Sequence, residues 1–245
     1  NFALFLFMGY QDLFLKTTES TNRVAKEMGA SGVLHGSGVV ADTQTAGRGR
    51  LGRQWHSPPG GNLYCSYVVR PAIALQDYPK LTMAAGVAAA QCVQDNAPFQ
   101  IGLKWPNDLY IGTRKCGGIL CESSLASAPP FAVIGIGINC NLNTSDIPEE
   151  LKGMATSLLI EGGCRIDTQQ LFVDLREHLL DAVSDFEKQG FSEILARWNR
   201  FDAFRGTHMT WVREDGQAVE GISLGPDLDG SLVVQDSDGN RHKVI

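Results

Sequence analysis

Apolar residues in the first 140 positions fall into short runs that are separated by polar and glycine-rich segments. Short runs of this kind, several of them almost wholly apolar, are typical of strands covered on one or both faces. They predict strands at 39–41, 62–70, 101–104, 109–111, 116–121 and 131–138. The apolar run at 2–8 is far too short to cross a membrane and is interpreted as a first strand or an ordered leftover at the chain start.

Three other stretches predict helices. Ser20 to Asn22 supplies capping residues before a short apolar pattern, which Gly29 is expected to end. An alanine-rich stretch opened by a proline predicts a second helix at 79–94. A third has Asp167 and Gln170 as N-terminal caps, Gly190 as its end and one apolar face: Leu171, Leu175, Leu179, Val183 and Phe186.

After Trp198 the pattern changes to short alternating segments broken by glycines and Asp-Gly pairs. Such punctuation is typical of a small meander or barrel. We therefore predict an α+β protein with a larger domain at 1–204 and a small β-rich domain at 205–245, divided near 204–207. We find no internal repeat.

Composition narrows the classes of function. The 245 residues carry a net charge of −6, with 43% hydrophobic and 20% charged residues, as expected of a packed globular protein. An acidic chain lacks the broad basic face that nucleic-acid binding requires. The six cysteines and five histidines form no metal-ligand pattern, so we expect free thiols in a reducing compartment, no zinc and a cytoplasmic location.

Positive charge is concentrated in the segment 47–55, which reads GRGRLGRQW, and no acidic residue occurs from Thr43 to Gln76. Glycines let backbone amides approach phosphate oxygens, and guanidinium groups bind those oxygens in pairs. A Walker-type loop is excluded because no GxxxxGK[ST] is present. The segment predicts a phosphate site in an irregular loop, with a solvated basic loop or a nucleic-acid patch as the alternatives.

This segment, with Gln44 before it, resembles the signature loop of biotin protein ligases. Three more segments follow in that family's order: KWPNDL at 104–109, RKCGGIL at 114–120 and GIGIN at 135–139. The chain is therefore identified as a member of that family, with a likeness that is strong over 20–139 and weaker towards the C-terminus. Only about nineteen residues precede Ser20, so we expect the monofunctional type without an N-terminal DNA-binding domain.

The resemblance implies a fold and a reaction. The fold is a mixed-sheet catalytic domain flanked by helices, of the class II synthetase-like biotin/lipoate ligase type, with a small C-terminal SH3-like β-barrel. The reaction activates biotin with ATP to biotinyl-5′-AMP, releases pyrophosphate and transfers biotin to a specific lysine of a biotin carboxyl carrier protein, a subunit or domain of acetyl-CoA carboxylase. ATP implies Mg²⁺, whose ligands the sequence does not name. No nucleic acid or membrane partner is expected, and a sheet edge could pair two copies into a homodimer.

The resemblance also assigns roles to residues. The biotin-binding residues would be Ser20, Thr21, Asn22, Gln44, Gly47, Trp55, Lys115, Gly117 and Gly118. The ATP-binding residues would be Arg48, Arg50, Arg53, Asn107, Lys115 and Asn139. The catalytic residues would be Lys115, Arg50, Arg48, Lys104 and Asp108, with Lys115 between the biotin carboxylate and the α-phosphate and Asp108 orienting or deprotonating the carrier lysine.

Other interpretations stay open. Ser20 to Asn22 could simply cap a helix, Trp55 could anchor the core, and the two lysines could be surface charges. We predict loops at 44–56 and 141–158 that fold over the ligand, the second over adenine, with a permanently packed short helix as the alternative for 141–158. For the whole chain the alternatives are a lipoate or octanoate ligase or transferase of the same superfamily, whose His-Asp pair 47–55 lacks, and a non-catalytic nucleotide-binding module.

Overall fold

The computed structural model describes residues 3–7, 9–212, 216 and 218–245. In this part of the chain, eight strands form one mixed sheet. They are β1 (Ala3–Phe7), β2 (Tyr10–Thr18), β3 (Gly38–Gln44), β4 (Leu63–Val69), β5 (Gly102–Lys104), β6 (Asp108–Ile111), β7 (Arg114–Ser124) and β8 (Phe131–Ile138). Their order across the sheet is β1-β2-β3-β4-β8-β7-β6-β5, and β2 with β3 is the parallel pair. Each strand predicted from an apolar run is therefore present, and the mixed sheet is confirmed.

The helices cover both faces of this sheet. They are α1 (Thr21–Ala30), α2 (Leu81–Asn96), α3 (Leu158–Gly162), α4 (Thr168–Gln189) and α5 (Phe191–Phe201). On one face α2, α4 and α5 enclose the main core, in which Trp198 and Phe172 are fully buried. On the other face α1 closes a smaller core around Ala25 and Val68. Neighbouring residues of one strand point to opposite faces, so β4 supplies Tyr67 to the first core and Val68 to the second.

The ends of α1 and α4 test the predicted stop signals. Gly29 does not end α1, which is a correction: it lies inside the last turn, and a Cβ there would be 2.4 Å from the ring of Phe131. Close packing, rather than helix termination, therefore accounts for this glycine, and the chain turns at Gly32 with φ +88°. Gly190 follows the last residue of α4 as predicted.

The start of α4 agrees with the prediction in one of its two caps. The side chain of Asp167 accepts hydrogen bonds from the backbone amides of Gln169 and Gln170. The side chain of Gln170 does not reach back to complete the cap and instead donates to Asp174 at 2.7 Å. Helix α5 has no side-chain cap of its own, because the single residue Gly190 ends α4 and begins α5.

The C-terminal strands form a second, antiparallel sheet. They are β9 (His208–Val212), β10 (Ala218–Pro226), β11 (Leu232–Gln235) and β12 (Arg241–Val244), in the order β12-β11-β10-β9. The separate small β-unit agrees with the expected SH3-like domain, and among the described strands β9 and β12 lie at the two edges of this sheet without pairing with each other. Where the boundary between the two domains lies stays a prediction.

A tryptophan joins the two sheets. Trp105, just after β5, packs on the small C-terminal core and donates its indole N–H to the backbone oxygen of Gly230 at 3.0 Å. The KWPNDL segment is thereby held between the sheets. Among the described residues, no helix is long and apolar enough to cross a membrane.

Candidate active site

A cavity of about 600 Å³ opens between the arginine-rich segment, the N-terminus of α1, the strands β6 to β8 and the C-terminal sheet. It collects most of the residues that the motifs singled out. Fourteen of the sixteen predicted site residues line it: Ser20, Thr21, Asn22, Gln44, Arg48, Arg50, Arg53, Trp55, Lys104, Asn107, Asp108, Lys115, Gly118 and Asn139. Motifs spread over about 120 residues therefore converge on one volume.

The two remaining predicted residues lie behind this lining. A Cβ on Gly47 would be 2.6 Å from the backbone oxygen of Trp55. A Cβ on Gly117 would be 2.9 Å from the backbone oxygen of Gly137. Both glycines allow two backbones to approach closely, which supports the wall of the cavity without forming its surface.

The arginine-rich segment is a small hairpin rather than a wholly irregular loop. The amide of Trp55 donates to the oxygen of Gly47 at 2.9 Å, and the amide of Gly49 donates to the oxygen of Arg53 at 2.7 Å. A short 3₁₀ turn, Arg50–Gly52, forms the tip. There Leu51 has φ +55° and is 75% exposed. The hairpin fixes the backbone and leaves the side chain of Leu51 exposed at the tip, among the residues that line the cavity.

Polar groups at the start of α1 form one end of the cavity. The backbone amide of Thr21 donates to Oε1 of Gln44 at 2.8 Å, and Nε2 of Gln44 donates to Oγ of Ser57 at 3.1 Å. Ser57 in turn donates to the backbone oxygen of Trp55 at 3.1 Å. These bonds connect the start of α1 to the base of the hairpin. The side chain of Ser20 makes no capping hydrogen bond, so the simple capping interpretation is not supported for that residue.

Trp55 lies across β7 and β8. Its indole is 3.4 Å from a Cβ placed on Gly118 and 2.7 Å from one placed on Gly137, so two glycines form the surface on which the ring rests. The ammonium group of Lys115 lies 5.3 Å from the ring centroid. The indole nitrogen is buried without a hydrogen-bond partner among the described residues. The ring is half-buried at the cavity wall and does not belong to the main hydrophobic core.

Lys115 and Asp108 form the charged centre of the cavity. Their side chains make a half-buried ion pair, with Nζ 2.6 Å from Oδ1. The backbone of Lys115 is fixed as well, because its amide donates to Met154 at 2.8 Å and its oxygen accepts from Thr156 at 2.9 Å. The lysine is thus fixed at both ends beside the carboxylate.

Lys104 is held differently. Its ammonium group lies over two aromatic rings, 5.1 Å from the centroid of Phe204 and 5.7 Å from that of Tyr110. Burial lowers the pKa of Lys104, Lys115 lowers it further, and Asp108 opposes the change. Lys104 is therefore not an ordinary surface charge.

Two asparagines in the predicted site make structural hydrogen bonds to backbone oxygens. Asn107 donates to Ile119 at 2.7 Å, which fixes the turn before β6. Asn139 donates to Thr156 at 3.0 Å, which fixes the end of the segment 141–158. Both side chains line the cavity, so a ligand would meet them already oriented.

The segment 141–158 differs from the alternative of a permanently packed short helix, and its folding over adenine stays a prediction. It contains two 3₁₀ turns, Thr144–Asp146 and Glu149–Leu151, and α3 begins only at Leu158. Leu142 and Ile147 are buried, whereas Met154 is 58% exposed beside the cavity. The segment is thus anchored at its start and presents an apolar side chain near its end.

Several residues around the site were not predicted. Gly135 and Gly137 alternate along β8 in the GIGIN motif, a two-residue spacing that places both on one face and could have indicated a surface for a ring. Ser57, Ser66 and Glu122 lie behind the lining. A serine inside an otherwise apolar strand such as β4 is the one signal that could have identified Ser66.

Comparisons with known proteins agree with this geometry. Residues 14–139 match the model of the biotin/lipoate A/B protein ligase family. The chain is 36% identical over 233 residues to the bifunctional ligase/repressor BirA of Bacillus subtilis, covering 95% of this chain and 71% of that protein. It is 31% identical to a biotin--[acetyl-CoA-carboxylase] ligase of Paracoccus denitrificans, covering 93% of this chain and 95% of that protein.

Among solved structures, the fold is similar to biotin protein ligase from Aquifex aeolicus in complex with biotin and ATP. The TM-score is 0.81 at 29% sequence identity, and the match covers 95% of this chain and 94% of that one. The chain belongs to the biotin/lipoate A/B protein ligase family.

Proposed function

We propose that this chain is an ATP-dependent biotin protein ligase. It activates biotin as biotinyl-5′-AMP, releases pyrophosphate and transfers biotin to a lysine amine of a biotin carboxyl carrier protein. The observation that carries the proposal is the single cavity in which a polar pocket, three arginines and Lys115 meet. Its volume of about 600 Å³ lies within the range of small-molecule sites. The similar Aquifex aeolicus protein holds biotin and ATP, and the Paracoccus denitrificans relative is named for acetyl-CoA carboxylase.

The first step brings two anions together, because the biotin carboxylate attacks the α-phosphorus of ATP. Positioning and positive charge supply most of the catalysis of such a reaction. Arg48, Arg50 and Arg53 hold the phosphates and the departing pyrophosphate. Lys115 stands between the carboxylate and the α-phosphate, where the bond between them forms. Ser20, Thr21 and Gln44 hold the biotin ring, and Asn107 and Asn139 face the nucleotide.

The second step requires a neutral amine on the carrier lysine, although the usual pKa of that group is about 10.4. Asp108 is the carboxylate in the cavity and receives or directs the proton as the amine attacks the mixed anhydride. AMP leaves with the electrons of the broken bond to the acyl carbon. The ion pair with Lys115 orients Asp108. Lys104 lies beside the same carboxylate and adds positive charge near the departing phosphate.

Mg²⁺ would accompany ATP and would neutralise charge on its phosphates. The described residues contain no group of three His, Cys, Asp or Glu side chains placed to hold a metal ion. Among the described side chains that line the cavity, Asp108 carries the one carboxylate. This set fits an ion that takes its ligands from phosphate and water, as Mg²⁺ does.

Further parts of the proposal concern the wider protein. The domains are 1–204 and 205–245, and the second places Trp211 and Val244 in the cavity wall. The reaction takes place in the cytoplasm, which suits six unpaired cysteines. Two copies pair through a sheet edge, and sedimentation at micromolar concentration tests this.

Exchange of labelled pyrophosphate into ATP tests the function. Biotin should support exchange, whereas lipoate and octanoate should not, and Arg50→Ala should weaken it at least about 100-fold. Arg23→Ala is the matched control, since Arg23 pairs with Glu19 and Glu27 on the exposed side of α1. Exchange with lipoate would instead indicate a lipoate ligase of the same superfamily. No exchange with any acid would favour a binding module.

A further inference from the structure

Behind the polar end of the cavity lies a serine that no motif singled out. Ser66 on β4 is fully buried and does not line the cavity. Its hydroxyl oxygen is 2.7 Å from Oδ1 of Asn22 and 2.8 Å from Oγ1 of Thr21. Oγ1 of Thr21 is also 3.1 Å from Oε1 of Gln44. Four polar groups thus form a continuous row with three gaps between them.

Both ends of this row are acceptors. The amide nitrogen of Asn22 donates to Glu122 at 2.7 Å and to the oxygen of Leu120 at 3.2 Å, so its oxygen must be the atom that faces Ser66. The side chain of Asn22 packs directly against Gly135, where its Oδ1 occupies the space that a Cβ would need, and its two donor hydrogen bonds hold it there. At the other end, Oε1 of Gln44 already accepts the backbone N–H of Thr21. Neither carbonyl can supply a proton to the row.

Two hydroxyl protons, those of Ser66 and Thr21, are therefore available for three oxygen–oxygen contacts. Oxygens 2.7 or 2.8 Å apart need a proton between them, whereas a gap of 3.1 Å tolerates its absence best. Ser66 consequently donates to Asn22, and Thr21 donates to Ser66. The proton of Thr21 points into the protein, and only a lone pair of its hydroxyl faces the cavity.

We infer that Ser66 is a positioning residue for substrate specificity, because it fixes Thr21 as a hydrogen-bond acceptor in the ring pocket. The inference rests on the proposed function and deepens it. A cyclic urea offers an N–H to this acceptor, whereas a dithiolane or an alkyl chain offers none and leaves a buried polar group unpaired. Sites built in this way reject the analogue that lacks the donor. A residue that does not line the cavity, Ser66, thereby determines the preference for a ureido ring through its hydrogen bond with Thr21.

Two isosteric analogues test the inference directly. They are the cyclic carbamates of biotin in which an oxygen replaces one or the other ureido N–H. In the unmodified protein, the isomer that places oxygen against Thr21 should have a KM in pyrophosphate exchange about 10- to 100-fold above that of the other isomer. Equal KM values for the two isomers overturn the inference without any substitution.

Ser66→Ala tests the role of the serine itself. Once Ser66 no longer accepts its proton, the hydroxyl of Thr21 is free to rotate, and it can donate either to Oε1 of Gln44, 3.1 Å away, or to a ligand oxygen placed against it. The ratio of the two KM values should fall to within about threefold, while kcat at saturating biotin and the KM for ATP stay within about twofold of the unmodified protein. A purely structural role would instead change the ATP parameters and leave the ratio unchanged.

The matched control is Ser37→Ala. Ser37 is equally buried, and its hydroxyl accepts the backbone amide of Gln11 at 3.1 Å, outside the lining of the cavity. It should leave the isomer ratio as in the unmodified protein, and an equal fall of the ratio in Ser37→Ala would overturn the inference. A protein that exchanges pyrophosphate with biotin but keeps the ratio in Ser66→Ala contradicts the inference alone. A protein that exchanges with no biotin compound contradicts the proposed function as well.

Discussion

Gly137 lies beneath the indole of Trp55, and the contact leaves no room for a methyl group. A Cβ at position 137 would be 2.7 Å from Nε1, 2.8 Å from Cε2 and 3.1 Å from Cζ2 of that ring. An ordinary contact begins at 3.4 Å, so the ring would have to move by roughly 0.7 Å. The ring also faces Lys115, and its displacement would disturb the position of the ammonium group.

We therefore expect Gly137→Ala to lower kcat/KM for biotin in pyrophosphate exchange by about 10- to 100-fold. Overpacking costs about 1–3 kcal/mol, and a displacement near 1 Å at a reacting centre can cost about 100-fold in rate. The clash is with a ring at the cavity wall and not with the main core. The unfolding temperature should consequently fall much less than the activity.

A double-substitution cycle isolates the contact. Trp55→Ala removes the indole and with it the clash. In that background, Gly137→Ala should cost less than about threefold, which gives a coupling of the kind expected for residues in contact. If Gly137→Ala costs the same factor with tryptophan and with alanine at position 55, the methyl group acts on something other than the indole and the reasoning is refuted.

Three further predictions concern charged groups. Asp108→Asn should slow transfer from preformed biotinyl-5′-AMP by about 100- to 10,000-fold and change pyrophosphate exchange less than tenfold; transfer at the normal rate removes its assigned role. Arg176→Met removes the ion-pair partner of the buried Asp12 carboxylate and should lower the free energy of unfolding by about 3–5 kcal/mol. Calorimetry should then show a fall of about 10 °C in Tm, and an unchanged Tm would contradict this prediction. A hydrogen bond from Lys243 lowers the pKa of Asp229 to about 2, below the value in the unfolded chain. The ionised Asp229 therefore stabilises the folded state above pH ~4, and this contribution is lost as the pH falls towards 2. Asp229→Asn should flatten that part of the acid unfolding curve by circular dichroism, and an identical curve argues against the ion pair.

The parts of the fold that the sequence predicted are those governed by local pattern. Buried strands are apolar along almost their whole length, so β4 and β8 stand out from the polar segments around them. The arginine-rich segment was recognisable for the same reason, since its charge and glycines lie within nine residues. Identifying its hairpin required knowing which backbone amides meet across the turn, and that information is not local.

The end of α1 was predicted wrongly because a tertiary contact, and not helix termination, explains its glycine. Gly29 looks like a helix stop, but the ring of Phe131, about a hundred residues away, occupies the space that a side chain would need. The network around Ser66 depends in the same way on groups from β4, α1 and β7. A sequence pattern can identify a buried serine but not the partners that fix its proton.

The motif that contains Lys115 does not by itself predict which face of the sheet this lysine lies on. Asp108 pairs with Gly118 and Gly118 pairs with Gly137, so these three residues stand in a row across β6, β7 and β8. In a regular strand, residues 115 and 118 would point to opposite faces, because successive side chains alternate. The register shifts between Leu109 and Tyr110, which pair with Gly117 and Lys115 and leave Cys116 as the additional residue.

This bulge reverses the alternation and turns Lys115 to the face of Gly118, where its Cε lies 3.5 Å from a Cβ placed on that glycine. Cys116 is directed into the core instead, where it is fully buried. The ion pair between Lys115 and Asp108 thus depends on one irregular residue in β7. The motif RKCGGIL contains the lysine, but its alternation taken alone would place that lysine on the wrong face of the sheet.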